Sequence, residues 1–196
     1  WPESGKSEGR AAGTKMPGFT SENPEEITDL SGEREAGKAA SRFGPEFGAT
    51  VHAALSTILR GSQTEVEKVV SACAAGRGLE KHLHDAVKDV GKALNALKRV
   101  GLLAGEVVCY PEYPVVMPDG QGRLITGYID LVACASDCVW IIDFKTDPAP
   151  EGPLELAYPD YVRQIGLYKE LLGKTAGIKK PGRAVLLFSA TGKLES

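Results

Sequence analysis

The 196-residue chain lacks the features that identify several large classes of protein. No apolar run approaches the roughly 20 residues of a membrane span, and the polar N-terminus has no signal-peptide pattern. Four cysteines are scattered without a Cys-x-x-Cys pair, so reduced thiols are expected rather than disulfides or structural zinc. The Gly-x-x-x-x-Gly-Lys-Ser/Thr motif of an ATP site is missing too. We therefore expect a cytoplasmic protein without its own nucleotide site.

The chain has no excess of basic residues. It contains 23 Lys and Arg and 26 Asp and Glu, which gives a net charge of −3. Nucleic acid cannot then be held by bulk electrostatics, and any DNA contact must use local basic patches together with bound cations. A solvated helix or loop face is the simpler interpretation of each candidate patch. The patches are Lys174, Lys179, Lys180 and Arg183, and Lys88, Lys92, Lys98 and Arg99.

Large apolar side chains are scarce in residues 1–40, which cannot bury enough surface to offset the entropy of ordering. This segment is predicted to be a flexible linker or tail, and residues 41–196 a single domain. The chain begins with Trp1 rather than Met. We take this as a hint that it was excised from a larger polypeptide.

Within the predicted domain, apolar residues recur at helical spacing in four stretches, and strand-forming residues dominate four others. The predicted helices are 43–60, 65–75, 79–100 and 158–172. The predicted strands are 106–117, 123–134, 138–146 and 183–189. Pro111 and Pro114 restrict the first strand to an edge or a bulged position. This order predicts an α/β fold, in which a mixed central β-sheet is flanked by helices and preceded by an N-terminal helical part.

The second and third strands are predicted to form a hairpin. If Ser136 and Asp137 are its two loop residues, continuing the register places Asp130 opposite Asp143. Their Cβ atoms would then lie about 4.5 to 5.5 Å apart, where two like charges are destabilising unless a divalent cation compensates them. Lys145 would share the face of Asp143, while Phe144 would point into the opposite layer. The turn is not a preferred Asn-Gly type, so a slip of one residue is the alternative.

Three further side chains are candidates for the same pocket. His52 falls at the margin of the apolar face of the first helix, where a structural histidine is more common than a metal ligand. Gln164 and Tyr168, with Tyr161 three residues before Gln164, project from one side of the last helix. That helix is either an amphipathic helix with an aromatic edge or a polar ridge facing a substrate. His82 and His84 lie on a solvated helix face.

Five motifs in order resemble one family, the RecB-like branch of the PD-(D/E)XK nucleases. The chain is most similar to the C-terminal nuclease domains of AddA-type bacterial helicase-nucleases, over roughly residues 43–190. Glu112 is an uncertain match, since Glu106 is the other acid that could begin the first strand. The motifs are the segments 48–52, 112–114, 127–130, 141–147 and 161–168.

The resemblance implies a restriction-endonuclease-like core with a metal site. It implies that His52, Asp130, Asp143 and the backbone carbonyl of Phe144 hold Mg²⁺, for which Mn²⁺ can substitute. Hard oxygen ligands suit such an ion, which activates water and neutralises phosphate charge. Lys145 would orient or deprotonate the attacking water, or stabilise the transition state as a point charge.

The resemblance also makes Gln164 and Tyr168 part of the catalytic site. Some relatives hold an iron–sulfur cluster through one upstream cysteine and three that follow the Gln-x-x-x-Tyr helix. Because no cysteine follows Cys138, no iron–sulfur cluster is expected.

The expected function is a metal-dependent deoxyribonuclease of bacterial double-strand-break repair and recombination. The resemblance implies an exonuclease acting on DNA, mainly single-stranded, that is delivered by a helicase motor in the same polypeptide. A second helicase-nuclease subunit would be the partner, in the cytoplasm at the nucleoid and not at a membrane. The alternatives are a free-standing RecB-like exonuclease and a catalytically silent DNA-binding scaffold.

Overall fold

The computed structural model describes residues 28–29, 42–118, 124–174 and 182–196. The helices are α1 Pro45–Leu59, α2 Val66–Ala74, α3 Leu83–Arg99, α4 Leu154–Ala157 and α5 Pro159–Lys174, with a 3₁₀ turn at Glu80–His82. The strands are β1 Thr28–Asp29, β2 Val108–Pro118, β3 Leu124–Cys134, β4 Val139–Lys145, β5 Gly182–Phe188 and β6 Lys193–Glu195. Each predicted helix and strand is present, and only short elements were missed.

The strands of the described segments form one six-stranded sheet. Its order is β1-β3-β4-β5-β6, with β2 on the other side of β3. β4 and β5 are parallel, as are β1 and β3, whereas β2–β3, β3–β4 and β5–β6 are antiparallel. Parallel neighbouring strands need a crossover connection, and helices α4 and α5 provide it between β4 and β5. The predicted mixed α/β sheet is confirmed.

The β3–β4 hairpin has the predicted register. Its pairs run from Cys134↔Val139 to Leu131↔Ile142, and the amide of Ala135 donates to the carbonyl of Cys138 at 3.0 Å. The alternative slip of one residue is therefore wrong. The regular pairing ends one residue before Asp130 and Asp143.

Alternating side chains of the sheet supply two apolar cores. Ile142 and Phe144 of β4 pack with α1, α2 and α3 on one side. Ile141 packs on the other side with α5, through residues such as Ile165 and Leu172. Because side chains of a strand alternate, Asp143 and Lys145 share the α5 side with Ile141.

The alternation of side chains between the two faces of the sheet breaks in β3, within the region that pairs with β2. The β2–β3 pairing reaches Pro111↔Leu131 and resumes at Tyr113↔Ile129, so Glu112 and Asp130 are left out. Leu131 belongs to the core under α1, whereas Ile129 and Val132 both belong to the core under α5. An irregularity at Asp130 thus interrupts β3 next to the end of its pairing with β4.

Much of the predicted tail and part of one basic patch lie outside the described residues. Residues 1–40 lie outside the described residues except Thr28 and Asp29, which add β1 to the sheet although the sequence assigned them to the tail. Lys179 and Lys180 also lie outside the described residues. Lys92 and Arg99 donate to the carbonyls of Ala190 and Gly192, so half of the other patch has a structural role. In the described parts, no helix is long and apolar enough to cross a bilayer.

Candidate active site

The predicted site residues meet where β3 and β4 stop pairing. His52 comes from α1, Asp130 from β3, Asp143 and Lys145 from β4, and Gln164 and Tyr168 from α5. Helix α1 begins with Pro45 and an acidic first turn, which favour a helix start. A Cβ added to Gly48 would lie at an ordinary contact distance, 3.4 Å, from Thr146 Oγ1, so α1 runs close to the end of β4 at this point. The close approach helps to bring His52 over the sheet.

Asp130 is held by a histidine and by a backbone amide. His52 Nδ1 lies 3.1 Å from Asp130 Oδ1, and the Phe144 amide donates to Oδ2 at 2.7 Å. Burial raises the pKa of Asp130, but His52 and this amide outweigh it, so the pKa is lowered. Burial lowers the pKa of His52, yet the carboxylate of Asp130 raises it overall. The arrangement therefore favours an ionised Asp130 in contact with His52 Nδ1.

Asp143 faces Lys145 instead of Asp130. Its side chain is buried, and Lys145 Nζ lies 2.6 Å from Oδ2. This contact is an ion pair without hydrogen-bond geometry, and Oδ2 makes no hydrogen bond within the described chain. Burial raises the pKa of Asp143; Lys145 opposes the rise and Asp130 adds to it, and the net pKa is raised. The charge of the buried Asp143 carboxylate is thus compensated chiefly by its ion pair with Lys145.

Helix α5 supplies a polar chain that ends on Lys145. Lys145 Nζ donates to Gln164 Oε1 at 3.1 Å, and Gln164 Nε2 donates to the hydroxyl of Tyr168 at 3.3 Å. Tyr168 is itself buried in the apolar core beneath α5. The interpretation of this helix as a polar ridge facing the site agrees with these contacts. Apolar residues of the same helix anchor it on the sheet.

Asp147 had no role of its own in the sequence-based prediction, and Tyr161 was predicted only to share the side of the last helix that carries Gln164 and Tyr168. Asp147 is buried, accepts a 2.6 Å hydrogen bond from the Tyr161 hydroxyl at Oδ2, and leaves Oδ1 without a partner in the described residues. Lys145 Nζ lies 4.0 Å from the centroid of the Tyr161 ring. The spacing of Asp143, Lys145 and Asp147 by two was the available signal, because strand residues so spaced share a face.

Other residues considered from the sequence lie elsewhere. His82 stacks on Phe43, with ring centroids 4.1 Å apart, and His84 is exposed. Glu112 is ion-paired with Arg60 at the end of α1, while Glu106 is exposed before β2 begins. All four cysteines are free. None of these residues joins the contacts around Lys145 described above.

The residues at the strand ends suit a hard divalent cation. Asp143 offers a buried carboxylate oxygen without a hydrogen bond, and Asp130 has a lowered pKa. No three or more His, Cys, Asp or Glu side chains cluster as a metal site in the described part of the chain. Two carboxylates are nevertheless enough for Mg²⁺, which commonly takes one or two together with water and substrate phosphate. The carbonyl of Phe144 stays a predicted ligand.

Comparison with known proteins places the chain in a family. No curated protein matches it. A family model described as the PD-(D/E)XK nuclease superfamily matches residues 27–195, which include β1 and nearly all of the chain that follows it. With two acidic residues and a lysine on adjoining strands, the chain belongs to the PD-(D/E)XK nuclease superfamily, whose members are metal-dependent nucleases.

Proposed function

We propose that this chain is a Mg²⁺-dependent deoxyribonuclease domain that hydrolyses phosphodiester bonds as an exonuclease. The observation that carries the proposal is the Asp143–Lys145 pair. Both side chains are largely buried and burial raises the pKa of Asp143, so a bound cation would join Lys145 in stabilising its carboxylate. Asp130 adds a second carboxylate on the neighbouring strand, where its pairing with β4 ends.

In this proposal His52, Asp130, Asp143 and the carbonyl of Phe144 hold the ion. Mg²⁺ or Mn²⁺, when bound, would lower the pKa of water and neutralise charge on the phosphate. His52 and the Phe144 amide fix the orientation of the Asp130 carboxylate. The ammonium of Lys145 contributes positive charge at the attacked phosphate. Water supplies the new P–O bond, and the bond to the leaving sugar oxygen breaks.

Gln164 and Tyr168 complete the site by restricting Lys145. The carbonyl oxygen of Gln164 accepts from the ammonium, while its amide nitrogen donates to Tyr168. A buried tyrosine is a rigid anchor, because its ring has few rotamers to lose. Gln164 therefore holds Lys145 in place from the side opposite the strand.

We further propose that the domain acts on single-stranded DNA delivered by a helicase motor in the same polypeptide. A second helicase-nuclease subunit would be its partner in double-strand-break repair, in the bacterial cytoplasm at the nucleoid. Tethered delivery raises the effective concentration of the strand, so a domain of net charge −3 needs little intrinsic affinity. A free-standing exonuclease is the second candidate, and the reading frame upstream of Trp1 distinguishes the two.

The decisive experiment is cleavage of end-labelled single-stranded and duplex DNA with Mg²⁺, Mn²⁺ or a chelator. We expect metal-dependent cleavage that Asp143→Ala and Lys145→Ala each reduce by at least about 100-fold, because several kcal/mol of transition-state stabilisation is lost. Asp137→Ala, in the exposed β3–β4 turn, is the matched control and should cleave normally.

Two further measurements separate the outcomes. Circular dichroism should show that the variants keep the fold, and Mn²⁺ titration should show weaker binding by Asp143→Ala. Retained Mg²⁺-dependent cleavage in both site variants would exclude the proposed mechanism. DNA binding by a wild-type chain that cleaves under no metal condition would identify the silent scaffold.

A further inference from the structure

Two tyrosines, Tyr158 just before α5 and Tyr161 in its first turn, contact the segment that follows β4. The rings of Tyr158 and Tyr161 are stacked, with centroids 5.0 Å apart and planes 11° apart. Tyr158 also packs against Phe188 of β5 at 5.6 Å. The hydroxyl of Tyr158 donates to the carbonyl of Pro148 at 2.8 Å. Stacking and hydrogen bonding together fix the Tyr161 ring relative to the sheet.

The Tyr161 ring has a second anchor of a different kind. Its hydroxyl donates to Asp147 Oδ2 at 2.6 Å. Asp147 is only 6% exposed, and its Oδ1 has no partner in the described residues. A buried carboxylate with an unpartnered oxygen is unfavourable for stability, so a role other than stability is indicated. Burial of Tyr161 raises the pKa of its hydroxyl, as does the bond to Asp147, which keeps the phenol protonated as the donor.

The face of the fixed ring carries the ammonium of Lys145. The Nζ atom lies 4.0 Å from the ring centroid, within the distance at which the negative face of an aromatic ring attracts a cation. The Lys145 side chain is 13% exposed, so water screens this attraction weakly. The same ammonium contacts Asp143 Oδ2 and donates to Gln164 Oε1. The ring thus adds a third support for the position of Lys145.

We propose that Tyr161 is a positioning residue whose ring face holds the Lys145 ammonium for catalysis; this inference rests on the nuclease function proposed above. Asp143 and Gln164 contact the ammonium through single atoms, and Asp143 is also a proposed metal ligand. The ring gives Lys145 a partner that does not bind metal. Its aromatic face, rather than its hydroxyl, acts directly on Lys145.

The test compares variants that keep or remove the ring. Tyr161→Leu should lower kcat by about 10- to 30-fold with little change in KM for DNA, as expected for a partly desolvated cation–π contact. Tyr161→Phe and Tyr161→Trp keep a ring and should restore most of kcat. Tyr110→Phe, at an exposed tyrosine of β2 that takes no part in these contacts, is the control and should leave kcat within about twofold. A normal kcat in Tyr161→Leu, or equal losses in the Leu and Phe variants, would overturn the proposal.

Because Tyr161→Leu removes a partly buried ring, a second series keeps the fold constant. Fluorinated phenylalanines at position 161 have nearly the same shape but a progressively weaker cation–π attraction. We expect kcat to fall as fluorines are added, while thermal stability and Mn²⁺ binding stay constant. A kcat that is independent of fluorination would refute the role of the ring face.

One readout needs no activity and separates failure of this inference from failure of the proposed function. In protein labelled with ¹³Cε-lysine, the Lys145 resonance is identified by its loss in Lys145→Arg. It should show a ring-current shift that Tyr161→Phe keeps and Tyr161→Leu removes. A wild-type chain that shows this shift but cleaves nothing would reject the nuclease function while confirming the contact. Absence of the shift in an active nuclease would reject the positioning role alone.

Discussion

At the scale of the residue, Glu112 combines an unusual backbone with an ordinary ion pair. Its φ is 51°, and it is the one non-glycine residue with a positive φ in the described segments. Such a backbone costs about 1–3 kcal/mol. The ion pair with Arg60 joins two side chains that are about half exposed, and pairs of this kind contribute about 0–1 kcal/mol. The backbone is therefore the larger effect.

The comparison of backbone strain with the ion pair predicts how variants at position 112 rank in stability. Glu112→Gly should leave the free energy of unfolding within about 1 kcal/mol of wild type, because relief of strain offsets the lost pair and the added chain entropy. Glu112→Val should be about 1–3 kcal/mol less stable than the glycine variant, since a β-branched residue is strained there. Urea unfolding measures the free energy of unfolding of both variants. Arg60→Ala is the control for the pair alone, and a cost as large as that of Glu112→Val would contradict the argument.

The contacts of Asp130 and Asp143 show why this acidic pair was only partly predictable from the sequence. The hairpin register near Asp130 and Asp143 followed from the spacing of the strands and was confirmed as far as Leu131↔Ile142. The partners of the two carboxylates did not follow from it. The carboxylate of Asp130 contacts His52, which lies 78 residues away in the chain. Local sequence patterns carry no information about such a contact.

At the scale of the element, the turn between β5 and β6 is held against α3. Lys92 Nζ donates to the carbonyl of Ala190 at 2.6 Å, and Arg99 donates to that of Gly192 at 3.0 Å. Gly192 has φ 69°, and a Cβ added there would lie 3.0 Å from the Lys92 carbonyl oxygen. The turn therefore requires glycine for its conformation and for its close contact with the helix.

The two requirements can be separated with a pair of alanine variants. Gly101→Ala, at φ 79° with no heavy atom within 4 Å of the new Cβ, should cost about 1–2 kcal/mol for the left-handed backbone alone. Gly192→Ala adds the contact with α3 and should cost about 1–3 kcal/mol more. Denaturant unfolding of both variants measures the difference. Equal losses would show that α3 adjusts without cost.

Among the elements, the long ones were predictable and the short ones were not. Helices α1, α3 and α5 present apolar stripes to the sheet over 15 or more residues each, so their periodicity is visible. Strands β1 and β6 have two and three residues, and α4 has four. Elements this short form because a neighbouring strand or helix is already in place, and their own sequence holds too few residues to show a period.

At the scale of the whole molecule, Asp89 joins three distant parts of the chain. Arg42, which precedes α1, donates from Nη2 to both carboxylate oxygens at 3.0 Å, and Ser189, which follows β5, donates at 3.2 Å. Asp89 lies on α3 and is 2% exposed. Burial raises its pKa above the ordinary 3.8, although Arg42 and Ser189 oppose the rise.

The raised pKa of Asp89 predicts how stability depends on pH. A carboxyl whose pKa is raised by folding contributes stability that is present below its ordinary pKa and is lost as the pH rises through the folded value. Relative to Asp89→Asn, which does not titrate, the wild-type chain should therefore lose stability as the pH rises from about 3.8 through the raised pKa. Urea unfolding of both proteins across this range measures the difference. An increase in the stability of the wild-type chain relative to Asp89→Asn as the pH rises would contradict the prediction.

The sequence by itself determined the order of the main elements, the hairpin register and the superfamily. These depend on periodicity, turn residues and motif spacing, which are local properties of the chain. Only tertiary contacts determined that the Asp130 carboxylate meets His52 and that Gln164 and Tyr161 contact the Lys145 ammonium. Those partnerships depend on a break in strand alternation and on helices packed from opposite sides of the sheet. Both arise from contacts between residues far apart in the chain.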